Sequence, residues 1–268
     1  MSGVQQGALG WQHFIGIAPG VSCVAKDRLD KILVERGFCS SRTRAQALIM
    51  SGNVLVADLV CDKGGTRVAI DANIRIRGQE LAYVSRGGLK LEHALNEFKL
   101  QVKGRVAVDV GASTGGFTDC LLQRGTSKVF AVDVGYGQLA WKLREDARVI
   151  NMERTNIRNL SPDLLQPRPD LAVIDASFIS LDKVLPPTLN LLAPCADLVI
   201  LVKPQFEVGK GKVGKGGIVR DPALHQEVMR RIEHTAAELG LQVRASCQSP
   251  IVGAKGNIEF LMHLMRSE

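Results

Sequence analysis

Several features that define other classes of protein are missing from this chain of 268 residues. Its six cysteines form no CxxC pair, which argues against a zinc site and a disulfide framework. No apolar run reaches the ~18–20 residues that span a bilayer. Residues 1–25 contain no Lys, Arg, Asp or Glu, so they lack the positive start of a signal peptide and the arginines of a transit peptide. We therefore expect a soluble cytoplasmic protein with reduced thiols, in which residues 1–25 form a poorly ordered extension.

Positive charge is in excess and is unevenly distributed along the chain. Lys and Arg outnumber Asp and Glu by seven, and the sequence pI is about 9.2. The segment from Lys26 to Lys90 holds 12 basic and 7 acidic residues, so it supplies +5 of the net +7. This balance favours a polyanionic partner such as nucleic acid, bound mainly by the N-terminal quarter of the chain.

The segment Lys26–Arg77 has the pattern of a small α/β domain. Apolar residues at helical spacing predict a first helix that ends at Gly37. A second helix begins at a cap formed by Ser40 or Ser41 and ends at Gly52. Two strand-like runs follow it, NVLVAD (53–58) and NIRIRG (73–78).

This order of elements, with a basic second helix, resembles the S4 RNA-binding domain. The likeness lies in RLDKILVERGFCSSRTRAQALIMSGNVLV (28–56). An S4 domain presents its second helix and the following hairpin to structured RNA, where fixed cations neutralise phosphates and release counterions. A solvated basic helix without RNA is the alternative from charge alone. The resemblance implies four RNA-contacting residues, Arg42, Arg44, Gln46 and Asn53.

After a connector at 78–85, strands and helices alternate to the end of the chain. Several strands are continuous Val/Ile/Leu runs, as expected when helices cover both faces of a parallel sheet. The predicted strands are 105–111, 128–134, 148–153, 170–176, 196–203, 241–247 and 258–265. The predicted helices lie near 117–124, 138–144, 181–192 and 221–239. The last two strands are joined without room for a helix, so the final strand runs antiparallel. We therefore expect a Rossmann-like, seven-stranded α/β domain over 86–268, with the layout of a methyltransferase, behind a smaller α/β domain over 26–85.

A glycine-rich turn follows the first strand of the larger domain, in VAVDVGASTGGFTDCLL (106–122). Gly111, Gly115 and Gly116 allow a tight turn and a close approach of the backbone to a ligand. Asp133 ends the second strand, where an acidic residue accepts hydrogen bonds from a ribose. The spacing is GxxxGG and not GxGxxG, which disfavours the alternative of an NAD(P) site. A turn without any nucleotide is the other alternative.

Four charged residues fall near the predicted ends of strands. Asp175 ends the fourth strand, Lys203 ends the fifth, and Glu259 opens the last one. Lys90 lies on a helix before the first strand. The carboxyl ends of parallel strands border the ligand crevice, and an antiparallel last strand begins at the same edge. A single charge there is commonly structural, but together these residues indicate one site.

The four residues match the Lys–Asp–Lys–Glu tetrad of FtsJ-like RNA 2′-O-methyltransferases. Together with the S4-like segment, the chain resembles the TlyA (hemolysin A) family of ribosomal RNA cytidine-2′-O-methyltransferases. The likeness covers 86–268 and includes VSRGGLKL, GASTGGFTD, VDVGYGQLAW, LVKPQFEVGKGKVGKGGIV and GNIEF. The uncharged extension at the start departs from the family pattern.

The resemblance implies S-adenosylmethionine as the methyl donor, with catalysis by Lys90, Asp175, Lys203 and Glu259. The donor-binding residues it implies are Gly111, Ser113, Gly115, Gly116, Phe117, Asp133, Asn156 and Asp175. FtsJ-type enzymes usually have Asp in place of Asn156, so this position departs from their pattern.

The implied reaction is an in-line attack of a ribose 2′-oxygen on the sulfonium methyl. Lys203 is the candidate that orients the hydroxyl and accepts its proton. An ordinary lysine has a pKa of ~10.4, so a basic role requires burial or a neighbouring cation such as Lys90. Whether Lys203 is a base or a positioning group stays open. The reaction needs no metal, and the five histidines form no ligand set.

The loop EVGKGKVGKGGIVRDP (207–222) combines glycines with basic residues beside Lys203. Mobile lysines there suit binding of the RNA backbone by Lys210, Lys212 and Lys215, and an ordinary surface loop is the alternative. Phe206 either stacks on a base or packs into the core.

Three functions compete at this stage. The first is a 2′-O-methyltransferase that acts on ribosomal RNA or on ribosomal subunits, and it fits all the motifs. An RNA-binding ribosome-assembly factor with an inactive methyltransferase fold is the alternative, and the intact tetrad argues against it. A membrane-lytic toxin, which the hemolysin name suggests, is disfavoured because the sequence shows no amphipathic or spanning segment, so no membrane partner is expected.

Overall fold

The computed structural model describes most of the chain from residue 25 onward. The described residues are 25–36, 38–39, 41–77, 82–209, 211–253 and 256–267. The expectations that concern residues 1–24, Gly37, Ser40, 78–81 and Lys210 lie outside them. The described residues form two compact units, one before residue 80 and one from residue 80 onward.

The described residues of the N-terminal unit form two helices and five short strands. Its elements are β1 (Lys26–Arg28), α1 (Leu29–Glu35), α2 (Arg42–Met50), β2 (Val54–Val56), β3 (Leu59–Val60), β4 (Arg67–Ala69) and β5 (Ile74–Ile76). Strand β2 pairs with β3 and β5, and β1 pairs with β4, all antiparallel. The strand predicted over 53–58 is present as the shorter β2. Ala57 and Asp58 adopt positive φ angles and turn the chain into a hairpin.

Both helices of this unit bury the apolar face that their sequences predict. Leu29, Ile32 and Leu33 of α1 are fully buried, as is Ile49 of α2, and they pack on the strands. Burial of each such side chain stabilises the fold by roughly 1.5–3 kcal/mol. Ser41 is the N-cap of α2, and its Oγ accepts a hydrogen bond of 3.3 Å from the backbone N–H of Arg44.

The second unit is a seven-stranded sheet with helices between the strands. Its elements are α3 (Gly87–Glu97), β6 (Val106–Val110), α4 (Gly116–Gln123), β7 (Lys128–Val132), α5 (Trp141–Arg144), β8 (Val149–Met152), β9 (Leu171–Ile174), α6 (Leu185–Leu191), β10 (Ala196–Val202), α7 (Pro204–Glu207), α8 (Pro222–Glu238), β11 (Gln242–Gln248) and β12 (Phe260–Arg266). The strand order is β11-β12-β10-β9-β6-β7-β8. Strands β10, β9, β6, β7 and β8 pair in parallel, while β12 is antiparallel to both neighbours. The predicted fold class and the antiparallel last strand are confirmed.

Helices cover both faces of this sheet. Along β10, Leu198, Ile200 and Val202 pack into the layer that contains α6 and α8. Val199 and Leu201 point to the opposite layer, which contains α3 and α4. Because both faces are buried, the strand shows a continuous apolar run and no alternation with polar residues.

Three elements differ from their predictions. The helix predicted over 138–144 is only the four-residue α5. The helix predicted over 181–192 is divided into a 3₁₀ turn, Leu181–Lys183, and α6. Proline in the first turn of α6 lacks a backbone N–H, which favours a new helix start there. Glu259 precedes β12 by one residue and does not open it. Within the described ranges, every helix is too short or too polar to cross a membrane.

Candidate active site

Lys203 and Asp175 form an ion pair at the carboxyl edge of the sheet. They directly follow the neighbouring parallel strands β10 and β9, whose register brings their ends together. Oδ1 of Asp175 lies 2.6 Å from Nζ of Lys203. The same ammonium donates a hydrogen bond of 2.7 Å to Oγ of Ser177. Lys203 is 8% exposed, so its charged group is held mainly by these two neighbours.

Lys90 and Glu259 form a second and more deeply buried ion pair. Nζ of Lys90, in α3, donates a hydrogen bond to Oε2 of Glu259, just before β12. The two residues are 9% and 2% exposed. A Cβ atom at Gly253 would lie 1.9 Å from Oε1 of Glu259, so only glycine leaves room for this carboxylate. Lys90, which the sequence suggested as a cationic neighbour of Lys203, is therefore neutralised by its own partner.

Helix α3 connects the two ion pairs. Gly87, in its first turn, is positioned so that a Cβ atom would lie 3.9 Å from Oδ2 of Asp175 and 3.7 Å from Cδ1 of Phe117. Lys90 lies one turn further along the same helix. The four residues of the predicted tetrad thus form two pairs around the start of one helix.

The glycine-rich turn between β6 and α4 lies against the loop that contains Asp175. Gly111 has a φ of +85°, and a Cβ atom there would lie 2.8 Å from the backbone oxygen of Asp175. A side chain at this position would separate the two segments. Gly115 also has a positive φ and precedes Gly116, the first residue of α4. Phe117 is 3% exposed and packs into the core beneath the turn.

Asp133 follows β7 and faces the same turn. Its Oδ2 accepts a hydrogen bond of 2.8 Å from the backbone N–H of Ser113, and its Oδ1 accepts one of 2.7 Å from Gly135. A carboxylate has about four acceptor positions, so both oxygens retain capacity for further donors. The side chain is thereby fixed in place and can still accept hydrogen bonds from a ribose.

Asn156 begins the 3₁₀ turn Ile157–Asn159. Its Oδ1 accepts hydrogen bonds from the backbone N–H of Arg158 at 3.1 Å and from the Arg158 guanidinium at 3.2 Å. The side-chain oxygen is therefore occupied, which leaves the amide NH₂ group as the donor available to a ligand.

Asp109 is a buried acid in this region that the sequence reasoning missed. It is the last but one residue of β6, is fully buried, and its Oδ2 accepts a hydrogen bond of 2.7 Å from Thr118. Its Oδ1 has no hydrogen-bond partner among the described residues. Burial raises the pKa of Asp109 to about 7, and the nearby charge of Asp175 adds to this effect. The available signal was a charged residue inside the apolar run VAVDV.

Glu207 is a second missed residue, at the end of α7. Its carboxylate accepts hydrogen bonds from Oγ of Ser180 at 2.7 Å, from the backbone N–H of Leu181 at 2.8 Å, and from Arg231 of α8. Glu207 is 8% exposed. It therefore ties the loop after Asp175 to the short helix that follows Lys203.

An open cavity of about 710 Å³ lies next to these loops, and aromatic and cationic side chains line it. Phe178 is 90% exposed, and its ring centroid is 5.1 Å from that of Phe206. Arg158 and Lys183 also line the cavity. Phe206 is half-buried, and Nζ of Lys203 is 5.9 Å from its ring centroid. Exposed aromatic faces beside cations suit the stacking of nucleic acid bases.

The basic loop over 207–222 is described except for Lys210. Lys212 pairs with Glu227 at 2.6 Å, and Lys215 is exposed in a short 3₁₀ turn. The backbone N–H of Val219 donates a hydrogen bond of 3.0 Å to Oδ1 of Asn257. This bond attaches the end of the loop to the segment that leads into Glu259, two residues after Asn257.

In the N-terminal unit, a buried carboxylate organises two of the predicted RNA-binding residues. Asp30 is fully buried, and its Oδ2 accepts hydrogen bonds from Arg42 at 3.1 Å and from Gln46 at 2.9 Å. Arg28 donates two more bonds, at 3.0 and 2.8 Å. These bonds, led by those from Arg28, hold the pKa of Asp30 well below its usual range. The arginine side chains remain about half exposed, so they can also meet a phosphate.

The other two predicted RNA-binding residues are differently placed. Arg44 is exposed on α2. Asn53 is half-buried before β2, and its Nδ2 donates a hydrogen bond of 2.8 Å to Ser51. Among the residues that the structure describes, no group of three or more His, Cys, Asp or Glu side chains is arranged to hold a metal ion.

Comparison with known proteins identifies both units. The model of the FtsJ-like methyltransferase family matches residues 83–266, and that of the S4 domain matches residues 27–74. A candidate rRNA methyltransferase of Bacillus subtilis, YqxC, is 51% identical over 240 residues, covering 89% of this chain and 85% of the relative. The 16S/23S rRNA (cytidine-2′-O)-methyltransferase TlyA of Mycobacterium tuberculosis is 48% identical over 238 residues, covering 88% and 89%.

A solved structure gives the same result. A candidate hemolysin from Streptococcus thermophilus superimposes with a TM-score of 0.71 at 42% identity, covering 92% of this chain and 90% of the other. The chain belongs to the FtsJ-like methyltransferase family, within the group that contains the TlyA rRNA methyltransferases, and has an S4 domain at its N-terminus.

Proposed function

We propose that this protein transfers a methyl group from S-adenosylmethionine to the 2′-hydroxyl of a cytidine in ribosomal RNA. The observation that carries this proposal is the pair of buried Lys–carboxylate contacts at the carboxyl edge of the sheet, next to a glycine-rich turn. The name of the M. tuberculosis relative supports ribosomal RNA as the substrate and the cytidine 2′-oxygen as the acceptor. A substrate of this kind suits a cytoplasmic location.

The residues around the turn fit the methyl donor. Gly111 brings the turn against the loop after β9, and Asp133 retains acceptor capacity for a ribose diol. Oδ1 of Asp175 contacts Nζ of Lys203 at 2.6 Å, and because a carboxylate has about four acceptor positions, Asp175 keeps capacity for a further donor such as an amino group. The turn residues Ser113, Gly115, Gly116 and Phe117, together with Asn156, would complete this site.

The chain's own residues position the acceptor and handle its proton. S-adenosylmethionine, when bound, supplies an electrophilic methyl group on a sulfonium sulfur. Lys203 would contact the ribose 2′-hydroxyl, whose oxygen forms the new C–O bond as the C–S bond breaks. The hydroxyl proton leaves, and Lys203 in its neutral form would accept it. The Lys90–Glu259 pair would hold α3 against Asp175, so that the groups stay aligned for the transfer.

The N-terminal unit would bind the RNA substrate. We assign the S4 domain and connector to 26–85 and the methyltransferase domain to 86–268. Arg42, Arg44, Gln46 and Asn53 would contact the RNA, while Lys210, Lys212 and Lys215 would bind its backbone near the target. Replacement of Arg42 and Arg44 by Ala is expected to weaken RNA binding and to flatten its salt dependence, because fewer phosphates are neutralised.

The test is transfer of labelled methyl from S-adenosylmethionine to purified small and large ribosomal subunits that lack the modification. We expect label in RNA with the wild type and with Lys103→Ala, an exposed lysine outside the site. We expect none with Lys203→Ala, while its affinity for S-adenosylmethionine stays nearly unchanged. Subunit binding without transfer by the wild type would favour the ribosome-assembly factor.

A further inference from the structure

The loop after β9 places two groups around the ammonium of Lys203. Asp175 contacts Nζ through Oδ1 at 2.6 Å, and Ser177, two residues later, accepts a hydrogen bond from Nζ at 2.7 Å. Ser177 belongs to neither the glycine-rich turn nor the tetrad, and it is exposed to solvent. Its hydroxyl therefore has access to whatever approaches the lysine.

The loop holds Ser177 in place from both sides. Upstream, β9 pairs in parallel with β10, and Ile174 is aligned with Ile200, so the residues that follow run alongside Lys203. Downstream, Glu207 binds the hydroxyl of Ser180 and the backbone N–H of Leu181. Phe178, between them, has a φ of +63°, a conformation that costs of order 1–3 kcal/mol for a non-glycine residue and persists only where the surroundings fix it.

We infer that Ser177 is a positioning residue that sets the direction of the Lys203 amine, an inference that rests on the proposed methyl transfer. A neutral amine has two N–H groups and one lone pair in a tetrahedral arrangement, and an ammonium has a third N–H in place of the lone pair. Asp175 and Ser177 engage two of the three positions. The third position, which either holds the substrate hydroxyl or receives its proton, then has a defined direction.

Loss of the hydroxyl leaves Asp175 as the remaining polar anchor of the amine among the described residues. The amine can then rotate about its last C–C bond while it keeps the ion pair. Because reaction requires alignment of the acceptor oxygen within a fraction of an ångström, this freedom lowers the rate of the transfer step. It does not remove any of the groups that we assign to the donor or to the RNA backbone.

The experiment compares steady-state and single-turnover methyl transfer by the wild type, Ser177→Ala, Ser177→Thr and Ser161→Ala. Ser161 is an exposed serine that forms no side-chain cap, so it controls for the loss of a surface hydroxyl. We expect Ser177→Ala to lower kcat by about 10- to 100-fold, with the KM for RNA and the Kd for S-adenosylmethionine within about twofold of the wild type. Ser177→Thr, which keeps the hydroxyl, should restore most of the rate, and Ser161→Ala should match the wild type.

The outcomes separate this inference from the proposed function. No transfer by the wild type overturns both. Transfer by the wild type, with Ser177→Ala equally fast, overturns only the role of Ser177. The same holds if Ser177→Thr is as slow as Ser177→Ala, or if the loss appears in KM or in donor affinity while kcat is unchanged.

Discussion

The buried Lys90–Glu259 pair makes a quantitative prediction about stability. Gln is isosteric with Glu, so Glu259→Gln keeps the tight fit against Gly253 and removes only the charge. The side chains of Lys90 and Glu259 are 11% and 3% exposed, so the ammonium is left buried without a counter-charge. Breaking a buried pair in this way costs about 3–5 kcal/mol, which for a unit of this size lowers Tm by about 6–20 °C.

The assay is hydrogen exchange of the full-length chain across a urea series, measured by mass spectrometry on peptides from α3 and β12. It reports the opening free energy of the second unit without assuming that both units unfold together. The matched control is Glu227→Gln, whose pair with Lys212 has side chains 59% and 48% exposed and should contribute about 0–1 kcal/mol. Conversion of both Lys90 and Glu259 to apolar residues should recover most of the loss. A loss in Glu259→Gln no larger than that in the control would refute the reasoning.

Three further predictions concern other buried carboxylates. Glu207→Gln loosens the loop that holds Asp175 and should lower the single-turnover rate by about tenfold; an unchanged rate would contradict this role. Asp30→Asn releases Arg28 and Arg42, so RNA affinity in filter binding should fall and its salt slope should flatten by about one phosphate contact. Equal slopes for Asp30→Asn and the wild type would disprove the organising role of Asp30. Burial raises the pKa of Asp109 from 3.8 to about 7, so the folded state binds this proton more tightly, and the stability it contributes at low pH is lost as pH rises through that interval. Urea titrations at several pH values should show that the free energy of unfolding of the wild type falls as pH rises through this interval. Asp109→Asn should remove this contribution.

The sheet could be predicted because each of its strands leaves a local signal. The Val/Ile/Leu runs that become β6, β9 and β10 indicate strands buried on both faces, and the missing helix before β12 indicates its reversed direction. The charged residues at the ends of these runs then follow from the geometry of a parallel sheet. The roles of these residues in catalysis stay a prediction.

The ion pairs within the site could not be predicted from the sequence, because they depend on contacts between distant segments. Glu259 is 169 positions from Lys90, and nothing local to either residue indicates the other. Asp30 and Glu207 read as ordinary surface charges until the fold buries them against arginines. The position of the turn at Ala57 and Asp58, which ends β2 early, could not be predicted for a related reason, since neither residue is the glycine that usually indicates a positive φ.

The central claim is that the methyl group is transferred to a ribose oxygen of cytidine. It is tested most directly by digesting the methylated ribosomal RNA to nucleosides and identifying the labelled product by mass spectrometry. We expect 2′-O-methylcytidine, formed by the wild type and absent with Lys203→Ala. A methyl group on a base, or no labelled nucleoside despite measured binding of both RNA and S-adenosylmethionine, would contradict it.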